Sequence, residues 1–187
     1  MKTRDIVLIA LFAALCVVLS LVPPVPVPLI PVPVTLQTLG IMLAGLMLGP
    51  WRGLLAVALY VLLAVVGLPV LPGGRGGMGV LMGPTGGFLL GMLPGAFVTG
   101  WLAQRLPASG ATWRALGGQA VASLLGGVVV VYALGAPWLA LVTGMGLSKA
   151  IAAVLVFIPG DIVKCVLAAL AAVRVRRFWS ADAAHGI

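Results

Sequence analysis

The chain is written as long apolar runs broken by short clusters of proline, glycine and single basic residues, and this punctuation limits what it can fold into. A helix that crosses a bilayer takes roughly 20 mostly apolar residues. Six stretches approach that length: 5–22, 34–49, 52–66, 84–104, 114–134 and 159–177. The second and third are the shortest. They span only if they stand nearly upright or if protein shields their ends. Composition decides the solvent: 7% of the 187 residues are charged, against roughly 25% in a soluble domain. A surface in water cannot be covered that sparsely, whereas lipid asks for few charges. The expectation is an all-α integral membrane protein with six transmembrane helices and one domain over 1–187, its partner the lipid bilayer.

The N-terminal stretch "MKTRDIVLIALFAALCVVLS" has the basic start of a signal peptide. Its apolar run is long for one, and no small-x-small cleavage site follows, so a retained first span is the better reading. The connections differ in kind. "VPPVPVPLIPVPV", between spans one and two, holds too many prolines for a helix and reads as an extended, polyproline-like path packed on the protein. Between spans three and four lies a glycine-rich loop, "GLPVLPGGRGGMGVLMGPTGG". Between spans five and six, "GAPWLALVTGMGLSKAIAAVLVFI" has room for one short helix.

The formal charge is +8, from 11 Lys and Arg against 3 acids, all aspartates. The bases are scattered singly between apolar runs and form no basic patch, which argues against nucleic acid. Their order has a use. With six spans, Lys2, Arg4, Arg52, Arg105, Arg114, Arg174, Arg176 and Arg177 fall on one side, and Arg75 and Lys149 on the other. Cytoplasmic loops carry the excess of Lys and Arg, so both termini are expected to face the cytoplasm. The three long connections then all lie outside, as suits capture of something from outside.

Two charges remain within an apolar run. In "FIPGDIVKCVLAAL", Pro159 suits the first turn of a helix. Asp161 then lies where the helix dipole favours an anion, with Lys164 three residues on and on the same face. Ionisable groups at that depth should face a cavity or a partner, so the pair is the first candidate ligand site; a structural ion pair stapling two spans is the alternative. In "PVTLQTLG", Thr35 and Thr38 are equally well read as helix caps, whereas the Gln37 amide offers two donors and an acceptor to a polar ligand. In "GPTGGF", Thr85 and Gly86 are either a tight helix start or a backbone wall of the same site. Arg75 is a solvated loop base or a lid residue meeting an anion.

Other chemistry lacks its parts. Cys16 and Cys165 sit in apolar runs, and the single histidine, His185, is in the tail, so no metal or other cofactor is expected. No Ser-His-Asp or Cys-His set can be assembled, and no GxxxxGK[ST] loop for ATP occurs. Ala10 and Ala14, Gly45 and Gly49, and Gly91 and Gly95 are small-xxx-small pairs that let helices approach closely. Internal packing is the default for such pairs, while the pair on span one can receive a partner.

Three regions together, "PVPVTLQTLGIMLAGLMLGPWRG", "GLPVLPGGRGGMGVLMGPTGGF" and "IPGDIVKCVLAAL", resemble the BioY family, the biotin-specific S-components of energy-coupling factor transporters. The resemblance runs over nearly the whole chain. It implies the six-helix S-component fold and a non-enzymatic role: holding biotin near the outer face for uptake. It implies partners, a transmembrane T-component and two cytoplasmic ATPases. It implies that Asp161 and Lys164 contact biotin, and it likens Ala10 and Ala14 to the family's AxxxA contact with the T-component. Another vitamin as ligand, a small membrane enzyme and a structural subunit are the competing readings.

Overall fold

The structure, a computed structural model, describes residues 2–27, 30–106 and 112–184; Pro28, most of the 105–114 connection and His185 lie outside them. Twelve elements follow in order: α1 (Thr3–Leu21), β1 (Val25–Val27), β2 (Ile30–Val34), α2 (Gln37–Leu48), α3 (Pro50–Val66), α4 (Gly79–Met82), α5 (Gly86–Arg105), α6 (Thr112–Leu124), a π-helical turn (Leu125–Val130), α7 (Val131–Thr143), α8 (Leu147–Leu155) and α9 (Ile158–Ala184). Helices α1 and α5 and the continuous helical stretch Trp113–Thr143 are each long and apolar enough to cross a membrane. Helices α8 and α9 pass the same test as a pair bent by 52°, while α2 and α3 are shorter apolar helices.

Side chains tie the helix ends into two groups. At one end Asp5 of α1 meets Arg52 of α3 at 3.0 Å. Arg176 of α9 donates there to the Leu46 carbonyl at 2.6 Å, satisfying an orphan acceptor in the last turn of α2. This is the terminal end, where α1 begins. At the other end, the hairpin end, lie β1, β2, α4 and the start of α9.

The proline run differs from the polyproline-like path that its composition suggests. It folds back as an antiparallel hairpin, with Val25 opposite Val34 and Val27 opposite Ile30. Prolines alternate with valines here, so the residues that lack an N–H alternate with residues that can donate, and a two-stranded ribbon tolerates that. The fifth helix also runs further than 114–134. It continues without a break through the π turn and past Pro137 to Thr143. Proline inside a membrane helix is tolerated where neighbours satisfy the freed carbonyl. The remainder of that connection forms the expected short helix, α8.

Helix α5 is the centre of the bundle, packed against α2, α3, α6, the π turn and α7. Glycine makes this possible. A Cβ on Gly45 would sit 2.7 Å from the Ala96 carbonyl, and one on Gly91 would sit 2.9 Å from that of Val131. Internal packing thus accounts for those small residues. Gly49 has a second role. At φ +80° it makes the tight α2–α3 turn, with Pro50 following at the first helical position. By contrast, Ala10 and Ala14 face away from the bundle and are exposed.

Candidate ligand-binding site

Helix α9 begins one residue before Pro159, and Asp161 falls in its first turn. One turn later Lys164 returns across the same face, with Nζ 2.8 Å from Asp161 Oδ1. Both are buried, at 2% and 6% exposure. Taking two charges out of water costs several kcal/mol each, and the loss is offset only if further groups satisfy them. Those groups come from two other helices. Thr38, in the first turn of α2, donates to Asp161 Oδ1 at 3.3 Å or accepts from Lys164 Nζ at 3.1 Å. Tyr132, the second residue of α7, donates its hydroxyl to Asp161 Oδ2.

This cluster lies in the wall of a cavity at the hairpin end. The cavity has about 660 Å³ of empty space when its mouth is included, of which only about 70 Å³ admits the centre of a water molecule. It is a narrow slot. Three kinds of wall make it. The β2 strand and the joint to α2 contribute Val32, Pro33, Val34 and Thr35. The glycine-rich loop contributes Leu71, Pro72 and Arg75, with Arg75 Nε bonded to the Pro72 carbonyl at 3.1 Å. Helices α5 and α7 contribute Phe88, Leu89, Met92 and Val131, and the joint between α8 and α9 contributes Phe157. A mostly apolar lining with a few convergent polar groups is the common form of a small-molecule site.

Asp161, Lys164, Gln37, Thr35, Thr85 and Arg75 all line this one cavity, although they come from four separate segments. Gln37 is also built into the bundle. Its amide donates to the Tyr60 hydroxyl at 2.6 Å, and Ser20 lies 2.6 Å from the same hydroxyl. Thr85 immediately precedes α5 but makes no side-chain cap bond, nor does any side chain cap α2. Gly86 is not among the lining residues. The space a Cβ would need there is taken by the Leu81 carbonyl of α4, so this glycine seats α4 on α5.

Two participants were not legible as ligand groups in the sequence. Thr38 is equally well read as a helix cap, and only the fold brings it to α9. Tyr132 lies within an apolar run. The available signal was its hydroxyl, since a buried tyrosine usually finds a partner.

The BioY family model matches residues 1–181 of the chain. The chain is similar to a biotin transporter BioY of Rhizobium etli, 51% identical and covering 91% of each chain. It is 36% identical to one of Lactococcus lactis, over 94% of this chain and 92% of the relative. Among solved structures it resembles the S-component for biotin from an ECF-type ABC transporter. The TM-score is 0.87 and the identity 35%, over 95% of both chains.

Proposed function

This chain belongs to the BioY family, and from that premise we propose that it is a biotin-capturing membrane subunit of an energy-coupling factor transporter. It is a multi-pass transport protein of a prokaryotic cell membrane, not an enzyme. As one six-span domain it holds both termini in the cytoplasm and opens its slot to the outside. The distribution of bases supports that orientation. Trp51, Trp101 and Trp113, exposed beside Arg52, Arg105 and Arg114, fit an aromatic belt at the membrane interface of that end.

One observation carries the reading: a buried acid–base pair, braced by Thr38 and Tyr132, at the wall of an otherwise apolar slot. Biotin has a ureido ring with two N–H groups beside a carbonyl, an apolar bicycle and chain, and an anionic valerate. The ureido ring is the better match to the pair. The Asp161 carboxylate keeps acceptor positions beyond its present bonds, and Lys164 has a third N–H for the carbonyl. Phe88, Phe157 and Leu71 suit the rings and chain, and Arg75 in the loop suits the valerate.

The test is binding by the purified full chain. Biotin should bind, and Asp161→Asn or Lys164→Ala should weaken it; unchanged affinity in both variants would sink the site assignment. A different vitamin retained through purification, identified by mass spectrometry, would transfer the site to that ligand. For transport, the partners are a transmembrane T-component and two cytoplasmic ATPases, with Ala10 and Ala14 on α1 as the contact. Their exposure supports this. Ala14→Leu should lower the amount of T-component that co-purifies while biotin binding stays as it was.

A further inference from the structure

The terminal end holds a second cavity that the capture of biotin does not use. It is a cleft with about 430 Å³ accessible to water centres, bounded by α1, the end of α2 and the start of α3. Its two halves differ in chemistry. Among the described residues, the rim carries Lys2, Arg4 and Arg52 and one carboxylate, Asp5. Asp5 is already engaged, by Arg52 at 3.0 Å and by the Lys2 backbone N–H at 3.0 Å. The described residues therefore give the cleft a net positive lining. The deeper half is apolar, made of Leu8 and Phe12 on α1 and Met47 and Leu48 on α2. From Arg4 to Phe12 the helix rises roughly 12 Å. Trp51, exposed beside Arg52 in the first turn of α3, marks this level as the membrane interface.

A basic rim over an apolar trough at that depth matches one kind of molecule. We propose that this cleft binds an anionic phospholipid, its phosphate at Lys2, Arg4 and Arg52 and one acyl chain along Leu8, Phe12 and Met47. Basic pockets between membrane helices hold anionic headgroups by the same electrostatics. Free phosphate shares the rim chemistry but has no use for the trough. The Asp5–Arg52 pair sets the Arg52 guanidinium at the rim while leaving N–H groups for a phosphate oxygen.

The full chain, delipidated in detergent, is offered phosphatidylglycerol, phosphatidylcholine or inorganic phosphate and read by native mass spectrometry. One phosphatidylglycerol per chain should be retained, with about tenfold or greater preference over phosphatidylcholine, and phosphate should not be held. Lys2→Gln with Arg4→Gln should abolish the preference. Leu8→Trp, which fills the trough and leaves every charge, should abolish retention. Biotin binding at the far end reports that each variant is folded; if Leu8→Trp fails that check, Met47→Trp blocks the trough from its other wall. Equal retention of the two lipids, phosphate held as well as phosphatidylglycerol, or retention undiminished in a folded trough-filling variant would each overturn the proposal.

Discussion

The two ends of the bundle handle charge in opposite ways. At the hairpin end one acid and one base are buried in a narrow slot, with hydroxyls from two other helices on them. At the terminal end, charges outline a wide cleft, and the Arg52 side chain of its ion pair is 48% exposed. The same two kinds of charged group are a fixed constellation in one place and a wet rim in the other. What differs is covering. A hairpin, a glycine-rich loop and α4 wall the first site, whereas the α2–α3 connection at the terminal end is a tight turn. Charges that are buried must be satisfied with defined geometry, and so can select a ligand; charges in water are screened and adaptable.

Substitutions can break this contrast, and the largest effect should come at the slot. Asp161→Ala leaves a buried ammonium without its anion, and should cost about 3–5 kcal/mol of stability together with most biotin binding. Thermal unfolding in detergent and calorimetric titration measure the two losses. The double variant Asp161→Asn with Lys164→Met sharpens the point. It removes both charges, so stability should recover by several kcal/mol, on the order of the single-variant loss, while binding stays lost. Recovery of binding along with stability would reduce the pair to a structural staple.

Tyr132→Phe removes one donor to Asp161 and keeps the ring against Phe88. It should cost about 1.5–3 kcal/mol of stability, the usual worth of a hydrogen bond to a charged group, and weaken biotin by loosening Asp161. Arg75→Ala should weaken biotin by about 1 kcal/mol and leave the affinity of biotin amide, which lacks the valerate charge, unchanged. An equal loss for both compounds would place the valerate elsewhere. The smallest effect belongs to the terminal end. Arg52→Gln breaks an ion pair whose arginine is 48% exposed and whose aspartate is 12% exposed, and should cost about 1 kcal/mol of stability, declining with added salt, with biotin binding as in the parent chain.

How the slot was assembled separates what could be read along the chain from what could not. Asp161 and Lys164 were legible because an ionisable pair in an apolar run has few innocent explanations, and because Pro159 fixes where the helix starts. Gln37 stood out because its amide offers two donors and an acceptor, and Arg75 as the single charge of its loop. Thr38 did not, since a threonine beside a helix start is ordinarily a cap. Tyr132 did not, since tyrosine at one position of an apolar helix is compatible with packing. Gly86 reads as backbone for a ligand until α4 is seen resting on it.

The apolar runs, their spacing and the scarcity of charge by themselves determined that this is a helical membrane protein, that its basic residues gather at one end, and that its last helix opens on an acid and a base. Those properties are local: transfer of apolar side chains to lipid and the constraints of proline act on each segment whatever its neighbours do. Only the tertiary structure decided that the proline run pairs with itself as a ribbon, that the fifth helix carries through a π turn to Thr143, and that Thr38 and Tyr132 meet Asp161. Each of these rests on contacts between residues far apart in the chain. For such contacts the spacing along the sequence carries no information, and the demand of a buried charge for partners says only that partners exist, not which residues they are.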